Sequence, residues 1–288
     1  MRHIRFLRET DRDDILEIAK HTWEGHDYLP YSFESWLKDK NSHTAAIEQD
    51  GHVIALANLR VIEDGKTGWM EGLRVHPDHR GMGLAKALTN HVVQNAAELR
   101  LERIRYTTAT DNLESLRLGE SVGMSRRFNL GVYWHEKPDE ILWRYSTEDI
   151  ASIEADELIP SLLESELLPL GIIVLDWKAM DAAPDALKKL GQTARFWVTR
   201  RNDVLNAFSL GFSRMAAGGP QWIFTIYAMD DALFLNHLSH HVAMASENEC
   251  NTLFGAFHEH YTRVLKGLDW VSSEYDGDWA LTLLERVL

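Results

Sequence analysis

Hydrophobic and polar positions alternate along the chain in runs that are typical of short strands and amphipathic helices. From Asp11 onward, Ile15, Ile18 and Ala19 fall on one face of a predicted helix. Asp50-Gly51 stands between two strand-like runs and predicts a β-hairpin. The pattern of the first half predicts, in order, strand Ile4–Arg8, helix Asp11–Thr22, helix Phe33–Lys38, strands Thr44–Glu48, Val53–Ile62 and Gly68–Val75, helix Leu84–Leu99, strand Ile104–Ala109 and helix Asn112–Val122.

The second half repeats this order of elements with an offset of roughly 150 residues, the signature of an internal repeat. Asn202-Asp203 corresponds to Asp50-Gly51 as a hairpin turn. Few residues are identical between the halves, so the repeat is an inference about fold. We expect a mixed α/β fold class with two domains of one kind, residues 1–138 and 139–288. The predicted elements of the second half are strands Ala194–Arg200, Leu205–Arg214 and Trp222–Ala228, helix Ala232–Glu247, strand Thr252–Phe257, helix Glu259–Lys266 and strand Trp279–Leu284.

Composition is that of a soluble globular protein, with 45% hydrophobic and 26% charged residues. No apolar run approaches the ~20 residues that cross a bilayer. The first residues lead straight into charged positions, without the apolar core of a signal peptide. Cys250 is the single cysteine and cannot form an internal disulfide. We therefore expect a cytoplasmic protein.

The formal net charge of −14 argues against nucleic acid or an anionic membrane as a partner. The charge is uneven: residues 1–140 carry 19 Lys+Arg and 23 Asp+Glu, a balance of −4, whereas residues 141–288 carry 11 and 21, a balance of −10. The first half is therefore the better candidate for an anionic cofactor. The acidic second half favours an amine ligand or is simply a solvated surface.

The clearest chemical signal is the segment 73–85, with the sequence Leu-Arg-Val-His-Pro-Asp-His-Arg-Gly-Met-Gly-Leu-Ala. A strand ends at Val75, and a loop with two glycines opens a helix near Leu84. Glycine lets the backbone approach a ligand closely, and a helix start offers unpaired N–H groups and a positive dipole end. The segment predicts a pyrophosphate site. It lacks the Gly-Lys-Ser/Thr of a Walker loop and the Gly-x-Gly-x-x-Gly of a dinucleotide fold.

This loop resembles the Arg/Gln-x-x-Gly-x-Gly/Ala acyl-CoA loop of the GNAT N-acetyltransferase superfamily, with Arg80, Gly83 and Ala85 at the defining positions. The alternative is a tight turn that needs glycine for its backbone angles alone. The resemblance implies acetyl-CoA as co-substrate, no metal ion, and direct attack of an amine on the thioester in a ternary complex. It implies these cofactor-binding residues: Leu73, Val75, Arg80, Gly81, Met82, Gly83, Leu84 and Ala85.

A second stretch, residues 112–124, resembles the family's Asn-x-x-Ala-x-x-Leu-Tyr-x-x-x-Gly-Phe. The resemblance implies that Asn112 contacts the pantetheine arm, although Asn is also a common helix N-cap. The family's tyrosine, often the acid that reprotonates the CoA thiolate, aligns with Gly119. The proton must then come from another group or from solvent.

Glu71 is the candidate general base. An amine must lose a proton before or during attack, and a carboxylate on the strand beside the acyl group can accept it directly or through one water. Many GNAT enzymes have a Glu on this strand. The alternative is an ordinary strand Glu that faces solvent or pairs with Arg60 or Arg74.

The acceptor site is predicted in the loop Trp23–Tyr31. Its Gly-x-Asp-Tyr-Leu-Pro core and the downstream Trp36-Leu37 resemble vertebrate histidine N-acetyltransferases and their relatives. The resemblance implies a free amino acid or similar small amine as acceptor, in contact with Asp27 and Tyr28. The alternative is a hydrophobic plug over the cofactor site.

The second half has Ala228-Met229-Asp230-Asp231-Ala232 where an acyl-CoA loop would stand, and two carboxylates would repel a pyrophosphate. We expect a degenerate domain that shapes the acceptor site, completes the sheet or replaces a dimer partner, in a monomeric protein. A protein or peptide N-acetyltransferase and a non-catalytic acyl-CoA sensor remain alternatives. His237, His240 and His241 have helical spacing, and we expect them on a wet or interface face rather than on a metal.

Overall fold

The computed structural model describes residues 2–22, 27–141, 145–147, 149–216, 218–268 and 280–288. The chain divides into two compact units. The first contains Met1–Arg127 together with Leu283–Leu288, and the second contains Phe128–Thr282. This division differs from the predicted one at residue 138, because the end of the chain returns to the first unit.

The first unit is a mixed sheet with helices on both faces. Its strands follow the order β1-β2-β3-β4-β5 and then β14, and the β4–β5 pair is parallel whereas β1 to β4 pair antiparallel. The bounds are β1 Arg2–Phe6, β2 Ser42–Gln49, β3 His52–Ile62, β4 Thr67–Val75, β5 Arg103–Ala109, C-terminal β14 Ala280–Val287, α1 Arg12–Lys20, α2 Leu29–Lys38, α3 Leu84–Glu98 and α4 Leu113–Ser121.

Two hydrophobic clusters cover the two faces of this sheet, because neighbouring strand residues point to opposite sides. Ala45 and Ile47 of β2 pack with the buried residues of α3 and α4. Ala46, between them, packs with α1 and α2. Ile15, Ile18 and Ala19 are all buried, which confirms the predicted inner face of α1.

An ion pair holds the C-terminal strand to the first unit. Arg105 of β5 is buried, and its Nε and Nη2 lie 2.7 and 2.6 Å from Oε2 of Glu285 in β14. Leu284 contributes to the core on the α3 and α4 face. Most of this strand, from Leu283 onward, thus packs in the first unit, although it follows the second unit in the chain.

The second unit is also a mixed sheet, with strand order β6-β13-β12-β11-β10-β7 and a parallel β12–β13 pair. The β10–β11 hairpin turns at Asn202 and Asp203, both in the left-handed region, as predicted. The strand β6 and the segment 151–190 were missing from the prediction. The bounds are β6 Ser125–Glu136, β7 Ala151–Ile153, β8 Ile172–Leu175, β9 Lys178–Asp181, β10 Arg195–Arg201, β11 Val204–Ala216, β12 Gly219–Ala228, β13 Thr252–His258, α5 Ala155–Glu164, α6 Pro184–Leu190, α7 Asp231–Glu247 and α8 His260–Lys266.

Two histidines of α7, His237 and His241, lie in the core of the second unit, which corrects the expected wet or interface face for them, whereas His240 is half-buried. His237 is fully buried, and its two ring nitrogens lie 3.0 Å from Thr199 Oγ1 and 2.7 Å from Ser209 Oγ. His241 is also fully buried and accepts a hydrogen bond from Trp222 Nε1. Burial lowers the pKa of His237 to about 3 and that of His240 to about 4, and it lowers the pKa of His241 well below its usual value.

Because these rings are buried, we predict that the free energy of unfolding decreases as the pH is lowered. The unfolded chain binds protons on histidine near pH 6.5, whereas the folded chain does not until much lower pH. Stability is therefore fully present above about pH 6.5 and decreases by about 2 kcal/mol per fully buried ring between pH 7 and pH 5. Urea unfolding at the two pH values measures this loss.

The variant His241→Phe should show a smaller loss between pH 7 and pH 5, because it removes one titrating ring. His52→Gln is the matched control, since the His52 side chain is 75% exposed. An equal pH dependence in the His241→Phe protein and the parent would contradict the prediction.

Candidate active site

The parallel strands β4 and β5 separate after a short common stretch. Their ladder joins Thr67, Gly68 and Trp69 to Arg103, Ile104 and Arg105. Beyond these three pairs, β4 continues to Val75 and β5 to Ala109 without pairing to each other in the described chain. The opening lies at the carboxyl ends of parallel strands, where α/β sheets commonly bind ligands.

A β-bulge bends β4 at the opening. Leu56 of β3 stands opposite Arg74, but Asn58 stands opposite Glu71, so β4 contains one extra residue there. Gly72 has φ +68°, and a side chain at this position would overlap the indole ring of Trp36. Glycine is therefore required for both the backbone angle and the close packing of α2 on the strand.

The loop after β4 contains two glycines that are surrounded by open space. Gly81 and Gly83 have φ +74° and +75°, and an added Cβ at either would meet no atom within 4 Å. Gly83 is the N-cap of α3, and no side chain caps the helix start. The N–H groups of Leu84 and Ala85 therefore begin a helix next to open space, which suits a pyrophosphate. Met82 is 49% exposed, and Arg80 is also exposed.

The matching helix of the second unit begins differently. Asp230 is the N-cap of α7, and its Oδ1 accepts a hydrogen bond of 2.8 Å from the Leu233 amide. The next residue, Asp231, forms an ion pair with His260. A carboxylate thus takes the place that a phosphate would occupy, in agreement with the sequence expectation.

Asn112 is the N-cap of α4, where its side chain accepts a hydrogen bond from the Ser115 amide at 3.1 Å. The structure thus shows the capping role, and the pantetheine contact stays a prediction. Further along α4, a side chain at Gly119 would overlap the Tyr106 hydroxyl, which donates to Ser115 O at 2.7 Å. Tyr106 of β5 therefore occupies the space beside α4 where the side chain of the family's tyrosine, at position 119, would start.

Glu71 lies on β4 just before the bulge and is mostly buried. Its Oε1 accepts a hydrogen bond from Asn58 Nδ2 at 3.0 Å and lies 3.2 Å from Arg60 Nε. The pairing with Arg60 was one of the alternatives considered from the sequence. It orients the carboxylate through Oε1. The role as base stays a prediction.

Asp27 is buried and its carboxylate is fully engaged by protein groups. Its two oxygens accept from Arg74 Nε at 2.9 Å and Nη2 at 3.1 Å, and Oδ1 also accepts from the Leu29 amide. The side chain of Asp27 is 0% exposed. Asp27 thus positions Arg74 and the start of α2, and its contact with an acceptor stays a prediction.

Tyr28 is the accessible member of this group. The Arg74 guanidinium lies 5.4 Å from the centre of its ring, and the ring meets Trp36 edge-on at 6.3 Å. Tyr28 keeps 37% of its surface exposed, yet burial around its hydroxyl raises its pKa to about 12, and Arg74 opposes that rise. A neutral hydroxyl beside β4 can donate a hydrogen bond to a bound molecule. Residues 23–26 of the predicted acceptor loop lie outside the described residues.

Two family models match the chain. Residues 12–124 match the Acetyltransferase (GNAT) family, and residues 152–257 match Histidine N-acetyltransferase, C-terminal. The first match contains the separated strands, the bulge and the glycine loop described above. Residues 12–124 are therefore similar to a GNAT acetyltransferase domain.

Curated relatives of this domain are histidine N-acetyltransferases. The protein of Oreochromis niloticus is 44% identical over 28% of this chain and 24% of its own length. That of Xenopus tropicalis is 26% identical over 66% of this chain and 63% of its own length. The chain thus matches about a quarter of the first relative and under two thirds of the second.

Solved structures support the tandem arrangement of the GNAT fold. A GCN5-related N-acetyltransferase from Sphaerobacter thermophilus has a TM-score of 0.66 at 13% identity, covering 99% of this chain and 95% of its own. A tandem GNAT protein from the clavulanic acid biosynthesis pathway has a TM-score of 0.57 at 14% identity, covering 100% and 98%. At such low identity the likeness concerns fold, and the predicted α/β class with GNAT-like halves is confirmed.

We predict that Gly83→Val weakens acetyl-CoA binding at least about tenfold, because a charge-assisted hydrogen bond to phosphate contributes about 1.5–3 kcal/mol. The added side chain enters the open space at the start of α3. Calorimetric titration with acetyl-CoA measures the change, and one site per chain is expected.

Gly65→Val is the matched control. Gly65 also has a positive φ, of +92°, and also has no atom within 4 Å of an added Cβ, but it lies in the turn before β4. Backbone strain should be similar in both variants. Equal acetyl-CoA affinities in the two would show that the glycine loop does not hold the cofactor.

Proposed function

We propose that this protein is an acetyl-CoA-dependent N-acetyltransferase that acetylates the amine of a free amino acid of the histidine class. The observation that carries the proposal is the separation of β4 from β5, with an uncapped glycine loop at its mouth and Glu71 on its wall. Leu73, Val75 and the loop 80–85 would bind the cofactor, the pyrophosphate against the N–H groups at the start of α3. GNAT acetyltransferases use acetyl-CoA, whose anionic pyrophosphate suits these N–H groups.

The chemistry requires an amine nucleophile beside the thioester. A lone pair on nitrogen attacks the thioester carbonyl, the C–N bond forms, and the C–S bond breaks with departure of the CoA thiolate. Glu71 accepts the amine proton directly or through a water, while Asn58 and Arg60 hold its carboxylate in place. A thiol has a pKa near ~8.5, so the thiolate leaves readily and can take a proton from solvent. This leaving ability makes glycine at position 119 compatible with turnover.

Two observations support the acceptor class. Tyr28 presents an exposed ring and a protonated hydroxyl beside β4, and Arg74 lies against that ring. The match of residues 152–257 to a histidine N-acetyltransferase domain supports histidine or a close analogue as acceptor.

No helix within the described part of the chain has the length and apolar character needed to span a bilayer.

The acceptor is tested by incubating the protein and acetyl-CoA with free L-histidine, other α-amino acids, Nα-acetyl-histidine and a peptide with N-terminal histidine. We expect thiol release and a product one acetyl group heavier with free histidine, and none with the blocked analogue. Acetylation of the peptide alone would favour a peptide acetyltransferase. Acetyl-CoA binding without thiol release for any amine would favour a sensor.

We predict that Glu71→Gln lowers turnover by roughly 10²–10⁴ without a change in acetyl-CoA affinity. The loss should shrink at high pH, where more of the acceptor amine is already deprotonated. Glu48→Gln is the matched control, because Glu48 is also a strand Glu paired with an arginine, Arg5. A Glu71→Gln protein as active as the Glu48→Gln protein at neutral pH would transfer the base role to another group.

A further inference from the structure

Two histidines and a carboxylate of the first unit meet near the end of α1. One nitrogen of His21, one nitrogen of His76 and one oxygen of Glu17 all lie within 4.8 Å of one another. His21 Nε2 is 3.3 Å from Glu17 Oε1, and the rings of His21 and His76 meet edge-on at 5.7 Å. The proposed acetyl transfer uses none of these side chains.

Two separate segments bring these residues together. Glu17 and His21 are four positions apart, so they lie on the same face of α1. His76 directly follows β4, where its amide donates to Ile54 O at 2.9 Å and fixes the start of the loop. The cluster therefore depends on the packing of α1 beside β3 and β4, and its geometry does not follow from spacing along the chain.

The donor set is one that zinc and similar ions prefer. Zn²⁺ takes imidazole nitrogen and carboxylate oxygen at about 2.0–2.2 Å, and three protein ligands leave a fourth position for water. Ligand atoms around a tetrahedral ion lie about 3.3 Å apart at those bond lengths. Rotation of exposed side chains can close the difference from 4.8 Å, since Glu17 is 47% and His21 45% exposed.

Neighbouring groups contact two of the ligands. The Lys20 ammonium lies 2.6 Å from Oε2 of Glu17, whereas Oε1 lies toward His21. Asp78 flanks His76: its amide donates to Nδ1 at 3.3 Å, and its carboxylate lies 3.9 Å from the same nitrogen. This carboxylate places a negative charge near the His76 ring, and that charge attracts a cation.

A cavity adjoins two members of the cluster. Glu17 and His76 line an open cavity of about 480 Å³, which has room for an ion and its water. Asp14 and Asp50 lie on the walls of the same cavity, and their negative charge attracts a cation.

We propose that Glu17, His21 and His76 form a binding site for a divalent transition-metal ion, with Zn²⁺ favoured over Mg²⁺. The site goes beyond the proposed acetyl transfer and does not depend on it. It also revises the sequence-based expectation of no metal ion. Bound metal would link the end of α1 to the first residue of the loop that leads to Arg80.

The test is titration of the full-length, tag-free protein with ZnCl₂ by calorimetry, without free histidine or acetyl-CoA. We expect one Zn²⁺ per chain, and no comparable binding of MgCl₂. His21→Ala and His76→Ala should each weaken Zn²⁺ binding at least about tenfold, since even loss of an outer-shell partner costs about 10–100-fold. CoCl₂ should give the visible absorption of a low-coordinate cobalt site in the parent protein and lose it in both variants.

His52→Ala is the matched control, because His52 lines the same cavity but stands outside the cluster. It should bind Zn²⁺ as the parent does. Circular dichroism without metal checks that each variant is folded. Failure of the folded parent to bind Zn²⁺ at 1:1, or unchanged binding in both His21→Ala and His76→Ala, would overturn the proposal.

Discussion

The separation of β4 from β5 is the constraint on which the candidate site depends. Three backbone pairs hold the two parallel strands together at their start, and the bulge at Gly72 turns the rest of β4 away from regular pairing. A sheet that stayed paired would fill this opening with its own hydrogen bonds. Because the two strands separate, Glu71 and Arg74 of β4 lie along one wall of the opening. The glycine loop follows β4 at the edge of this opening.

Buried charge pairs support that opening from both sides. Asp27 and Arg74 form a two-point pair that ties the start of α2 to β4. On the other strand, Arg105 and Glu285 tie β5 to the end of the chain. Removal of one partner from such a pair leaves a buried charge and commonly costs about 3–5 kcal/mol, so each pair makes its strand position hard to change. The two pairs therefore fix α2 on β4 and β14 on β5.

Helix starts distinguish the two units by simple chemistry. Gly83 leaves the first turn of α3 without a side-chain cap, whereas Asp230 caps α7 with its own carboxylate. The first arrangement leaves N–H groups for an anion, and the second satisfies one of them and adds negative charge. Two units with similar elements can thus differ in cofactor chemistry through the residues at one turn.

Local features of this protein follow from the sequence by itself. The glycine loop, the hairpin turns at Asp50-Gly51 and Asn202-Asp203, and the inner face of α1 depend on neighbouring residues, and the structure has them where the pattern predicted. Other features required the tertiary structure. β14 pairs with residues about 180 positions away, and no local pattern indicates that partner. Burial of His237 and His241, the support that Asp27 gives Arg74, and the meeting of Glu17 and His21 with His76 also depend on packing between distant segments. Spacing along a chain specifies which side chains share a face, but only the packed fold decides what that face touches.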